Sequence, residues 1–315
     1  MPTEIQYHTL DVFTDRTFGG NPLAVFPAAD RLSDDEMQAI ALEMNLSETV
    51  FVVTPTDPRC THRVQIFTPR TELPFAGHPT VGTACLLASL GQVALADHRG
   101  RVVFEEGVGP VAVEISAPPG GPLYAELTAA CVPERGQEVP ESETLASVLS
   151  LDLHDIGTNG WEPDAYSSGV PFVFVPVRDR GALARVRVNR SAWSEHLEDA
   201  WASKLYVFTL DPEREGSDVR ARMFAPGIGI DEDPATGGAA AAFAGYLADR
   251  VGPPTGGTGP RRWVIEQGFE MGRPSLLHAE ASFEGGRLAA TRVGGSAVRV
   301  CDGVLRLPAD AGETH

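Results

Sequence analysis

The chain has 315 residues, 43% hydrophobic and 22% charged, with a net charge of −18. That length accommodates two domains of ordinary size, and the composition is that of a globular protein. The acidity argues against nucleic acid and anionic membrane surfaces, which need basic patches, but leaves a small anionic substrate open, because a helix end or a few arginines can outweigh a distant negative surface.

In chain order, residues 5–13 alternate and carry β-formers, predicting a strand; 17–22 predict a turn and 23–26 a second strand paired with the first as a hairpin. Ser33-Asp34-Asp35-Glu36 is a capping box, with Met37, Ile40, Ala41 and Met44 on one face of the following helix. Residues 45–48 break that helix, and 49–53 and 63–67 predict strands. The helix from Pro79 to Leu90 is apolar nearly all round, which predicts burial at the centre of a sheet. Strands follow at 102–105, 111–115 and 124–127, with a domain boundary near Val132.

The second half predicts strands at 171–177 and 205–209, an Ala-rich buried helix at 234–247, and a β-rich end at 264–267, 276–283 and 297–307. Residues 253–260 are rich in Gly and Pro but no Lys follows, so they predict a solvated loop rather than a phosphate loop. Strands, a buried helix, then strands, done twice, is an α+β pattern and not βαβ alternation. It divides the chain into domains 1–130 and 131–315.

Cys60, Cys85, Cys131 and Cys301 are scattered, without metal-ligand spacing. The first residues have neither a basic segment nor an apolar run, and the longest apolar run, 239–248, is too short to cross a bilayer. The expectation is a cytoplasmic protein with reduced thiols and no membrane or nucleic-acid partner. Asn45 and Asn189 match the glycosylation pattern, which means nothing without secretion.

One phrase occurs twice. Arg63-Val64-Gln65-Ile66-Phe67-Thr68-Pro69 precedes His78-Pro79-Thr80-Val81-Gly82; Arg220-Ala221-Arg222-Met223-Phe224-Ala225-Pro226 precedes Asp233-Pro234-Ala235-Thr236-Gly237. His78 and Asp233 thus align, each just before a Pro that opens a helix. A helix N-terminus opened by a polar residue is a ready anion site, and two of them across a cleft would hold a small carboxylate.

These phrases resemble the phenazine-biosynthesis PhzF-like family of isomerases, of diaminopimelate-epimerase fold. The matching residues are Asp11-Val12-Phe13-Thr14, Gly20-Asn21-Pro22, Leu46-Ser47-Glu48-Thr49, Phe75-Ala76-Gly77-His78-Pro79, Asp233-Pro234-Ala235-Thr236-Gly237, Gln267-Gly268 and Gly272-Arg273-Pro274-Ser275, in order along nearly the whole chain. The resemblance implies two similar domains in pseudo-twofold relation, each a barrel-like sheet around a central helix, with a cofactor-free site in the cleft and no metal. It makes Glu48 the acid/base. Asn21, Ser47, His78 and Asp233 would line a small anionic metabolite, and backbone N–H groups at Gly77, His78, Gly237 and Gly238 would hold it. His78 and Asp233 would stand beside Glu48 in catalysis, and a homodimer is implied. The chain departs from the family at Gly238, where Ser is usual; the backbone donor survives and the hydroxyl is gone. Glu72 reads as structural, Arg273 as solvated or internally paired. Related racemases use a Cys at each helix start; here neither start carries one.

The expected function is isomerisation, moving a proton and a double bond on a small cyclic or unsaturated amino- or hydroxy-acid. The rivals are an epimerase or dehydratase of the same fold, and a non-catalytic small-acid-binding protein.

Overall fold

The computed structural model describes residues 3–137, 139–158 and 160–307. Contacts divide the chain into two units: 1–18 with 22–125 and 296–315, and 19–21 with 126–295. The architecture is α+β in both.

In the first unit, β1 (Thr3–Val12) pairs antiparallel with residues 297–307, from Thr3 opposite Leu307 to Val12 opposite Ala297. It also bonds to β2 (Asn21–Phe26). α1 (Asp34–Met44) begins with the expected capping box, in which the Ser33 hydroxyl and the Glu36 carboxylate each accept the other's backbone N–H. It ends at Asn45 in the left-handed region (φ 50°), so this Asn is a helix cap. Its buried face, Met37, Ile40 and Ala41, packs on Phe26, Phe51 and Phe67. β3 (Glu48–Val53) runs parallel to β2 and antiparallel to β4 (His62–Phe67). β4 is antiparallel to β5 (Glu72–Leu73) and parallel to β6 (Arg99–Glu106), which is antiparallel to β7 (Gly109–Ser116).

α2 (Gly77–Ser89) lies against β1, β3, β6 and β7, and every residue from Gly77 to Leu87 is buried. A helix surrounded by sheet has no solvent face to make polar, which explains its uniform apolarity. Each fully buried Leu there contributes about 1.5–3 kcal/mol. A Cβ on Gly82 would lie 2.6 Å from both Val12 and Leu23; glycine lets the sheet close on the helix. α2 starts two residues before Pro79, which therefore sits at the third helical position, where its missing N–H still costs no intrahelical bond.

β8 (Tyr124–Thr128) leads the chain into the second unit, which holds β9 (Glu134–Arg135), α3 (Ser142–Leu149), β10 (Asp164–Ser167), β11 (Pro171–Pro176), α4 (Arg180–Arg185), α5 (Arg190–His196), β12 (Lys204–Thr209), β13 (Val219–Ala225), β14 (Ile230–Asp233), α6 (Gly237–Val251), β15 (Gly259–Gln267), β16 (Ser275–Glu284) and the first part of β17 (Arg287–Leu307). The pairing order reproduces the first unit: β11–β12 parallel, β12–β13 and β13–β14 antiparallel, β13–β15 parallel, β15–β16 antiparallel. α6 takes the central place, buried among Phe174, Tyr206 and Phe208 through its own Phe243 and Tyr246. α3, α4 and α5 escape the sequence reading. They are short and held by tertiary contacts of Leu145, Leu183 and Trp193, though Asp179 and Asn189 cap two of them. No described helix is long and apolar enough to cross a membrane.

Candidate functional site

In the first unit, the left-handed cap at Asn45 stops α1, and after the part-exposed Ser47 the chain enters β3 at Glu48, opposite Leu23 of β2. Glu48 is 9% exposed and His78 4% exposed, with His78 Nε2 3.5 Å from Glu48 Oε2. Gly77 and His78 are the first two residues of α2, whose cap residue Ala76 supplies no side-chain cap. The first N–H groups of such a helix have no intrahelical acceptor and carry its positive dipole end.

Burial pushes the His78 imidazole down to about 3, against a hydrogen bond to the Pro22 carbonyl that favours the charged form. The ring is therefore neutral at ordinary pH. With its single N–H given to Pro22, Nε2 turns a lone pair toward the Glu48 carboxyl. The 3.5 Å contact sets this imidazole beside the Glu48 carboxyl.

In the second unit, Asp233 ends β14, 6% exposed. Its Oδ1 accepts from Asn21 Nδ2 (2.9 Å) and its Oδ2 from the Thr236 hydroxyl (2.5 Å); Asn21 also donates to the Ala235 carbonyl (2.9 Å). Burial raises the Asp233 carboxyl to about 6, while the bonds from Thr236 and Asn21 pull it the other way. Thr236, the cap residue of α6, does not cap with its own side chain. Gln267 does that work: its Oε1 accepts from Thr236 N–H, and its Nε2 donates to the Asp233 carbonyl (2.7 Å) and to Thr236 Oγ1 (3.0 Å). Gly237 and Gly238 are the first two residues of α6. A Cβ on Gly238 would meet nothing within 4 Å, so the serine usual in the resembling family would fit.

The repeat aligns differently in space than in sequence. Ile66 of β4 pairs with Leu73, whereas the matching Met223 of β13 pairs with Asp233. Three extra residues, around the turn Pro226–Ile228, separate strand from strand in the second copy. Leu73 therefore stands where Asp233 does, Ala76 where Thr236 does, and His78 where Gly238 does. His78 lies inside its helix, and Asp233 lies three residues before the cap of its own. Their expected equivalence is corrected.

Arg273 is internally paired, its guanidinium donating to the Gly19 and Gly20 carbonyls (2.5 and 2.9 Å). Glu72 is exposed and accepts from the Gln65 side chain. The four cysteines are free; Cys85 is buried within α2, its thiol pushed up to about 12 by burial. Sequence reading missed two residues. Gln267 stands in the sequence only within a family phrase, and Glu106 carries no motif. Glu106 is 6% exposed on β6, its Oε1 2.7 Å from the hydroxyl of Thr80, which itself lies 2.8 Å from the Ala76 carbonyl. The signal for both was there: each is followed by glycine at the same register of the repeat.

The family model of phenazine biosynthesis-like proteins (PhzC-PhzF) matches residues 10–303. An uncharacterized isomerase of Mesorhizobium japonicum is 44% identical over 302 residues, covering 95% of this chain and 98% of that protein. The trans-2,3-dihydro-3-hydroxyanthranilate isomerase of Pseudomonas aeruginosa is 33% identical over 300 residues, covering 95% and 98%. The crystal structure of a PhzF-family protein of Bacillus anthracis, 23% identical, has the same fold, with a TM-score of 0.86 over 96% of this chain and 99% of that one. With this match and the barrel-and-helix architecture, the chain belongs to the phenazine biosynthesis-like family and is an enzyme of the isomerase class.

Proposed function

We propose that the protein is a cofactor-independent isomerase that moves a proton, and with it a double bond, on a small cyclic or unsaturated amino- or hydroxy-acid. Glu48 is the general acid/base. The observation that carries this reading is the Glu48–His78 pair: a buried carboxyl 3.5 Å from the ring of a neutral imidazole. A carboxyl screened from water and facing a lone pair can hold a proton in one step and release it in the next. Ser47, Gly77 and His78 in the first unit, and Asn21, Asp233, Gly237 and Gly238 in the second, are assigned to substrate binding. Helix-start N–H groups suit a carboxylate. The Pseudomonas relative supplies the first acid to try, trans-2,3-dihydro-3-hydroxyanthranilate. The proposed setting is the cytoplasm, where the four free thiols stay reduced, and the proposed assembly is a homodimer.

Glu48→Gln keeps the shape of the side chain and removes the titrating group. Its turnover of a small-acid substrate, followed by proton NMR in deuterated buffer, is expected to fall by roughly 10²-fold or more with ligand binding retained. Near wild-type turnover by this variant would end the reading. One observation favours a second reading: Asp233, raised to about 6, is a second buried acid near neutrality. An epimerase using it would place one solvent deuteron on a substrate carbon without moving a double bond, which the same spectra distinguish.

A further inference from the structure

The two copies of the repeat put chemically matched side chains beneath the start of the central helix. Glu105 of β6 pairs with Arg63 of β4, and Glu266 of β15 pairs with Arg220 of β13. One residue on stand Glu106 and Gln267, followed by Gly107 and Gly268. Both glycines are places of closest approach to the loop before the helix. A Cβ on Gly107 would come within 2.7 Å of Pro74, and one on Gly268 within 2.6 Å of the Pro234 carbonyl. In the second copy Gln267 donates through its amide to the Asp233 carbonyl and to Thr236 Oγ1. In the first copy Glu106 meets Thr80.

The Thr80 hydroxyl stands between two oxygens. Thr80 Oγ1 lies 2.8 Å from the Ala76 carbonyl and 2.7 Å from Glu106 Oε1. A hydroxyl has one hydrogen, and a carbonyl can only accept. One hydrogen cannot serve both oxygens: when it lies on the Ala76 carbonyl, which also accepts the Thr80 N–H (3.3 Å), the contact with Glu106 is filled only by a carboxyl that donates, as the amide of Gln267 does. We propose that Glu106 works as a neutral carboxylic acid, the counterpart of Gln267, that donates to Thr80 and so positions the first turn of α2, the turn that carries Gly77 and His78.

The surroundings agree. No cation forms an ion pair with Glu106 among the described residues, and Oε2 finds no partner there. Arg63 and His62 of β4, Glu72 of β5, Arg99, Arg101 and Glu105 of β6, Glu114 of β7 and His78 and Cys85 of α2 are the titratable or charged groups on the elements around it. Glu105 is engaged by the Thr56 hydroxyl and N–H and by the Asp57 N–H, Arg101 by Glu114, and His78 lies against Glu48. Burial raises the Glu106 carboxyl to about 8, which favours the protonated acid at neutral pH; a Thr80 hydroxyl turned toward the carboxylate is what favours the ionised form. The turn is thus held at neutral pH and loosened when the acid ionises.

The relevance to catalysis rests on the function proposed above; the test of the acid itself does not. Infrared difference spectra of wild type against Glu106→Gln are expected to show a protonated carboxyl at pH 7 that is lost with a midpoint near pH 8. Amide exchange at Thr80, whose N–H donates to the Ala76 carbonyl (3.3 Å), corrected for intrinsic rates, is expected to quicken about tenfold, the exchange equivalent of one 1.4 kcal/mol bond, in Glu106→Ala, in the milder Thr80→Val, and in wild type at pH 9. Glu106→Gln should stay protected at both pH 7 and pH 9. An ionised Glu106 at pH 7, or exchange in Glu106→Gln as fast as in Glu106→Ala, overturns the proposal. In turnover, wild type should lose kcat/KM above pH 8 while Glu106→Gln does not; an alkaline loss that persists in that variant also counts against it. If Glu48→Gln stays active while the exchange results hold, the assigned function falls and the role of Glu106 stands.

Discussion

His78 shows how one side chain couples site chemistry to stability. In the unfolded chain its imidazole takes a proton near 6.5; in the folded protein burial delays this to about 3. Between those values the unfolded state binds more protons, so stability is fully present above about pH 6.5 and falls as pH drops toward 3. Denaturant unfolding of wild type and His78→Gln at pH 7 and at pH 4.5 checks this. Wild type is expected to lose more stability on acidification, and an equal loss in both would show that His78 does not titrate on unfolding. Asp233 runs the other way. Its carboxyl, raised to about 6, contributes stability that is present below its unfolded value of 3.8 and is lost as pH rises through 6.

At the scale of the element, two glycines on corresponding helices have opposite reasons to exist. Gly82 is required by close approach: a methyl there would meet Val12 and Leu23, both fully buried. Gly82→Ala recovers about 1 kcal/mol of helix propensity but meets an overpacking cost of about 1–3 kcal/mol. It should lower the melting temperature. Gly238 faces open space, and Gly238→Ser should raise stability by a few tenths of a kcal/mol up to about 0.5 kcal/mol. Calorimetry on the two variants is the check; a stabilised Gly82→Ala or a destabilised Gly238→Ser would contradict the packing described. The cap of α6 makes the same point about elements. Gln267, 31 residues from Thr236 along the chain, does what a local cap usually does, and no local pattern could announce it.

For the molecule as a whole, the scattered cysteines predict chemistry without thiols. None lies at the start of α2 or α6, and the buried Cys85 thiol is pushed up to about 12. A variant with all four replaced by Ala or Ser is expected to turn over small-acid substrates as wild type does once corrected for folded fraction. Loss of activity on alkylating the folded enzyme, with substrate protecting, would contradict this. In each unit one apolar helix lies against the sheet, while α1 in the first unit and α3 to α5 in the second build a further core of their own.

The sequence by itself determined what local chemistry dictates. The capping box of α1, the two helices apolar on every side, the late β-rich run and the ordered phrases that identify the family all follow from side chains within a few residues of one another. What spans longer distances only the tertiary structure decided. The return of residues 297–307 to pair with β1, the three-residue slip that moves Asp233 away from equivalence with His78, and the short helices α3 to α5 depend on partners far along the chain. The charge states of His78, Asp233 and Glu106 belong there too, because a pKa is set by how completely the fold removes water and by which donors it brings within reach. A Glu in a sequence is written as an acid; only its buried place beside Thr80 says that it keeps its proton.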